Sequence, residues 1–168
     1  LKALPKAYDF ALVSDHGFER IDRIANMKVE AAAAGLGGDI EPMGGLVATR
    51  DQAVAAWLRD QSGKEGGDVG REIPHDELVR YAPRLADMIA AFEPAEHVLF
   101  FSRDATGPAH ITPPEKGDHG FWPLRRDYRS TYLLSGPGIR PGKLGAVEMT
   151  ALEGRLAAPL GLICPKPE

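Results

Sequence analysis

Nineteen glycines and fourteen prolines punctuate a chain of 168 residues, about a fifth of the whole. That density makes the chain loop-rich, without the fixed period of a collagen. The remaining composition is that of a globular protein, 43% hydrophobic and 26% charged, too apolar for global disorder. The length suits one domain with a sizeable core and falls short of two ordinary ones. Twenty Lys and Arg against 24 Asp and Glu leave a net charge of −4. No basic excess is available to neutralise a phosphate backbone, so nucleic-acid binding by charge is not expected. The single cysteine, Cys164, forbids an intrachain disulfide and a cysteine-rich zinc site. With no His near it in sequence, it is not expected to act as a nucleophile. No apolar run approaches 18 residues, so no membrane span is expected. The chain opens Leu1-Lys2-Ala3-Leu4 without a Met and reaches a strand-like segment at once. It is expected to start inside a larger protein, which leaves periplasm and cytoplasm both open.

Short apolar runs bounded by turn residues predict strands at Tyr8–Val13, Gly45–Thr49, Val98–Phe101 and Thr131–Leu134, the first and third buried. Ile21–Gly35 carries the alanine run Ala31–Ala34 and reads as a helix stopped by Gly35, Gly37 and Gly38. Asp51 opens a second helix over Gln52–Gln61. Ser62–Arg71, Gly-rich and charged, reads as a mobile surface loop. After Pro74, apolar residues recur at three- and four-residue spacing through Phe92. They predict a helix kinked at Pro83 that buries Leu78, Leu85, Ile89 and Phe92. Asp104–Leu124, with four prolines and two histidines, reads as a long loop of the kind that carries function. Met149–Leu160 suggests a last helix. Strands alternating with helices predict α/β with a mostly parallel sheet.

Two matching tetrapeptides stand out, Asp15-His16-Gly17-Phe18 and Asp118-His119-Gly120-Phe121, their histidines 103 residues apart. Asp and His suit Zn²⁺, Mn²⁺ or Fe. Adjacent side chains on a regular strand point to opposite faces, so two neighbours serve one site only where the chain turns out of the strand. Ser14-Asp15-His16-Gly17 supplies such a turn, with a glycine that tolerates positive φ. A bland turn with a hydrogen-bonded His is the competing reading for either copy alone. His75 reads as a polar residue beside a helix start and His97 as a strand-entry residue. His110, inside the Pro-rich loop, keeps a site role open. Arg125-Arg126-Asp127 reads as a solvated face, with binding of an anionic group as the alternative. No Gly-x-Ser-x-Gly elbow, Gly-x-Gly-x-x-Gly or Walker loop is present.

The segment Ser14-Asp15-His16-Gly17-Phe18 resembles the metal-binding segment of the type I phosphodiesterase/nucleotide pyrophosphatase family, within the alkaline phosphatase superfamily. Gly117-Asp118-His119-Gly120-Phe121 resembles that family's later G-x-H-G segment, and Arg129–Ile139 the strand and Gly-Pro-Gly turn behind it. Tyr8–Met27 and Gly107–Leu162 carry the resemblance; the middle, about 28–104, matches in layout only and has the character of an insertion. The resemblance implies a C-terminal portion of a three-layer α/β/α sandwich, mostly parallel, with residues 1–168 forming a single fragment. It implies a hydrolase of phosphate esters or nucleotides that holds two divalent ions, zinc, in the parent protein. By position Asp15 and His16 would bind one ion and His119 the other. The family's Ser or Thr nucleophile and its remaining ligands precede the first motif and are not assigned to any residue here. The 168-residue piece alone is therefore expected to be inactive and to lack a well-occupied zinc pair, and its exposed surface could support a homodimer. The alternatives that stay open are another member of the superfamily, namely a phosphomonoesterase, a phosphonoacetate hydrolase or a mutase, and a noncatalytic domain with a residual metal site.

Overall fold

The computed structural model describes residues 8–101 and 105–162; Cys164 lies outside them. In chain order these carry β1 (Phe10–Val13), β2 (Glu19–Arg20), β3 (Arg23–Ala25), α1 (Met27–Ala33), β4 (Glu41–Pro42), β5 (Val47–Thr49) and α2 (Gln52–Gln61). They continue with β6 (Val69–Glu72), α3 (His75–Tyr81), β7 (Ala90–Pro94), β8 (Val98–Phe100), β9 (His110–Ile111), β10 (Gly117–Asp118), β11 (Tyr132–Ser135) and α4 (Leu152–Ala157). Two compact units result, one of Leu1–Asp15 with Ser130–Glu168 and one of His16–Arg129. Among the described residues no helix is long and apolar enough to cross a membrane.

Short polar side chains decide where the helices of the His16–Arg129 unit begin. Asn26 accepts a hydrogen bond from Val29 N at 3.3 Å, and Asp51 accepts from Ala53 N and Val54 N at 2.7 and 3.1 Å. Each satisfies amide donors that the first helical turn leaves without partners. The Asn26 cap shortens the helix expected over Ile21–Gly35, because Arg23–Ala25 pair as a strand before it. Gly35, at φ +76°, closes α1 as expected. Gly35 N bonds Ala32 O and Leu36 N bonds Ala31 O, the paired bonds of a left-handed cap.

The main sheet runs in the order β4-β5-β7-β6. β7 is antiparallel to both neighbours, with Val47 opposite Phe92 and Ala48 opposite Ala91. Alternation sends these residues to opposite faces. Val47 and Phe92 pack with Val54 and Leu58 of α2, while Ala48 and Ala91 pack with Leu78 of α3 and with Trp122. Covered on both faces, β7 is buried along its whole length.

This corrects the expected α/β/α sandwich with its mostly parallel sheet. Among the described residues every ladder except β3–β8 is antiparallel, and the sheets are small. The physical reason lies in the crossover β5–α2–β6. It makes β5 and β6 parallel but leaves a strand-wide gap between them, and β7 fills that gap in the opposite direction. Alternation of strands and helices along a chain is the same for a split unit as for a continuous parallel sheet. Two local expectations fall with it. The helix expected from Pro74 to Phe92 stops at Tyr81, and Phe92 is buried on β7, whereas Ile89 is 38% exposed. The loop expected over Ser62–Arg71 contains the start of β6, which pairs Val69 with Pro94.

In the other unit β1 and β11 form an antiparallel ribbon from Phe10 opposite Ser135 to Val13 opposite Tyr132. Ser14 N donates to Thr131 O and Thr131 N to Ser14 Oγ, which extends the pairing by one turn. The first strand is exposed along its length rather than buried, with Leu12 51% exposed. The expected last helix is short, α4, flanked by two 3-10 turns, and buries Leu152 and Ala157.

Phe92 is fully buried at the centre of the larger unit. Phe92→Ala should destabilise the chain by about 3–5 kcal/mol, read as a lower midpoint in urea with far-UV circular dichroism. An effect below 1 kcal/mol would place Phe92 outside the core.

Candidate functional site

A two-residue ladder brings the matching tetrapeptides together. β2 and β10 pair antiparallel, Asp118 opposite Glu19 and Gly117 opposite Arg20. Continuing that register sets residue 18 beside residue 119. The Phe18 and His119 rings lie 6.4 Å apart, and the His16 and His119 rings stack at 4.3 Å with planes 14° apart. Both histidines are exposed. His16 Nδ1 lies 2.8 Å from Gly17 O. A carbonyl only accepts, so Nδ1 carries a proton and donates it. His119 N donates to Asp118 Oδ1 at 2.7 Å, and Gly120, at φ +87°, turns the chain away behind it. Gly45 passes so close that a Cβ there would collide with Gly120 O, which ties the His119 turn to the entry of β5. Asp15 ends the ribbon unit and is exposed in the bend after β1. The structure thus brings two of the three expected metal donors into contact, and Asp15 belongs to the other unit.

Arg125 holds this arrangement. Each of its five N–H donors has an acceptor: both Glu19 oxygens, Pro94 O, Ala95 O and Glu93 Oε2. Its guanidinium lies 5.0 Å over the Phe121 ring, and the side chain is 9% exposed. Arg125 therefore joins β2 to the end of β7 and to the segment behind His119. The expectation of a solvated face holds for Arg126 and Asp127, which are exposed, and fails for Arg125. Arg71 completes the network by bridging Glu93 and Glu77, and it holds the Glu77 carboxyl below its usual range. His97 enters β8 as expected, at φ +62°, and its N–H donates to Glu19. His75 is exposed at the start of α3.

His110 opens β9 and meets two carboxylates, Asp68 Oδ2 at 2.6 Å and Glu30 Oε1 at 3.3 Å. Burial, followed by the hydrogen bond and charge of Asp68, pushes the Glu30 carboxyl up to about 7. Sequence reasoning left His110 open and passed over Glu30 and Asp68. Neither carries a local signal: Glu30 opens the alanine-rich turn of α1, and Asp68 sits in a glycine-rich run 42 residues from His110.

Comparison with protein-family models, with curated proteins and with solved structures finds no match for this chain.

Two predictions follow from this geometry. Removing Arg125 leaves Glu19 without its counter-charge and Glu93 with Arg71 alone, so Arg125→Met should cost about 3–5 kcal/mol. Chemical denaturation measures the loss, and a cost under 1 kcal/mol would show that the network is incidental. The Glu30 shift has the opposite sign to a stabilising carboxylate. A folded-state value raised from 4.5 to about 7 favours folding below pH 4.5, and that contribution is lost as pH rises towards 7. In EDTA, Glu30→Gln should therefore melt higher than the parent at pH 8 and level with it at pH 4.5. Equal melting temperatures at pH 8 would remove the raised value.

Proposed function

We propose that this chain supplies metal donors to a hydrolase of small phosphate esters or nucleotides, with His16 and His119 each meeting one of two divalent ions, zinc by the nature of the donors. The observation that carries the reading is the contact of two imidazoles from segments 103 residues apart in sequence. Paired catalytic ions sit roughly 3.5–4 Å apart, a spacing close to that of the two ring centres. Asp15 enters as a third donor on the resemblance alone, as does the phosphate-ester class. When bound, the ions would polarise a phosphoryl oxygen and stabilise the leaving oxygen.

The chain's own residues orient and support. The Gly17 carbonyl fixes the His16 tautomer, a common device for metal-binding histidines. Tyr128 accepts a hydrogen bond from Gly120 N at 2.9 Å and packs edge-on to Phe121, which steadies the turn that presents His119. Exposed apolar residues of the ribbon, Phe10, Leu12 and Leu133, give a second copy of the chain a surface to pair with.

Zinc titration with imidazole-resolved NMR tests the reading. Zn²⁺ should shift the His16 and His119 ring resonances together, and His119→Ala should weaken that binding by at least about 100-fold. In a parent hydrolase of the kind the resemblance implies, the same substitution should remove most phosphodiester turnover. Zinc that leaves both rings unperturbed would exclude the pair as donors.

A further inference from the structure

Glu30, Asp68 and His110 come from three elements: α1, the residue before β6, and the start of β9. One ligand atom from each lies within 4.8 Å of the others. The Asp68 side chain is 7% exposed, yet its Oδ1 accepts no hydrogen bond. An Arg23 Nη lies 2.5 Å from that oxygen as an ion pair, off the hydrogen-bonding direction. Glu30 Oε1 is buried and likewise accepts none. Two carboxylates facing each other in a buried place require a proton or a cation between them.

We propose that Glu30, Asp68 and His110 bind a first-row divalent cation of the zinc or manganese class, at a site that shares no residue with the His16–His119 pair. One imidazole nitrogen with two carboxylate oxygens suits those ions. Calcium or magnesium would demand six or more oxygens. A tetrahedral shell with bonds of about 2.1 Å sets donors roughly 3.4 Å apart. His110 Nε2 lies 3.3 Å from Glu30 Oε1 and 2.6 Å from Asp68 Oδ2, so one edge already fits and the other must open slightly. Arg23 does not block the ion. It meets Oδ1, whereas His110 meets Oδ2, so the two oxygens of Asp68 serve two cations. Arg23 also bonds Gly66 O and Gly67 O at 3.2 Å, which anchors it as the outer partner that orients a ligating carboxylate. The His110 side chain is 51% exposed, so the ion has a path from solvent and an open coordination position. Loading releases the proton shared by the two carboxylates and moves the His110 proton from Nε2, which now faces Asp68 Oδ2, to Nδ1, so that Nε2 is free to ligate.

Equilibrium dialysis against Zn²⁺ and against Mn²⁺, with the whole chain, separates this site from the other. The His16→Ala/His119→Ala double variant should retain one ion at unchanged affinity. Adding His110→Ala or Glu30→Gln should weaken that ion at least 10-fold. Glu30→Gln keeps the side-chain volume, and the His110 ring resonance of the unmutated chain, which should shift on zinc addition, reads the site without any substitution. If the double variant binds no ion, or if His110→Ala and Glu30→Gln both leave its ion in place, the proposal is overturned. Zinc that shifts the His110 ring of the unmutated chain but leaves the His16 and His119 rings unperturbed would count against the proposed function and leave this site standing.

Discussion

A buried guanidinium organises the larger unit. Arg125 reaches Glu19 on β2, Glu93 on β7 and the carbonyls of Pro94 and Ala95. Desolvating one arginine and two carboxylates is costly, and such a group is stabilising only when its geometry is complete. Here every N–H has an acceptor, and Glu93 receives a second cation from Arg71. The network is therefore better understood as a device for register than as a source of net stability. It fixes β2 against the end of β7, and β2 in turn fixes β10. The contact between His16 and His119 follows from that chain of constraints, since a two-residue ladder alone would slip.

The same logic explains the sheet. β7 carries Glu93 among apolar neighbours, and a central strand has no solvent to receive a charge. Arg71 and Arg125 approach that carboxylate from two sides. The inserted direction of β7 puts Phe92 on the α2 face and Ala91 on the α3 face, large on one side and small on the other. Gly70 of β6 lies so close to the Pro94 carbonyl that a Cβ there would sit 2.6 Å from its oxygen, which marks where the ladder bulges.

Legibility in the sequence tracked the range of the interaction. Asp51 and Gly35 act within a few residues of their own position, and both helix ends they set were readable. The Pro74–Phe92 stretch misled because Leu78 and Phe92 share a helical spacing although one packs from α3 and the other from β7. Nothing local distinguishes these cases; burial from both faces allows any apolar sequence on a strand. The matching tetrapeptides were legible as a pair because they repeat, but their contact depends on Arg125, which reads as one of three surface charges. Glu30 and Asp68 were invisible because their significance exists only once α1, β6 and β9 meet.

The repeated Asp-His-Gly-Phe also shows how little identity of sequence fixes by itself. Gly17 is buried against Tyr128 and keeps ordinary dihedral angles, while Gly120 is exposed and turns at φ +87°. Phe18 is 66% exposed beside His119, whereas Phe121 is buried under Arg125. What the two copies share is a histidine released from a strand at a turn, its backbone held by neighbours and its ring left at the surface. The two rings lie at the surface, where water can solvate either protonation state. The Glu30–Asp68–His110 group differs, because two facing carboxylates away from water demand a proton or a cation between them. The proton on Glu30 and the guanidinium of Arg23 meet that demand here. Donor count alone does not separate the two groups; the electrostatic demand of the facing carboxylates does.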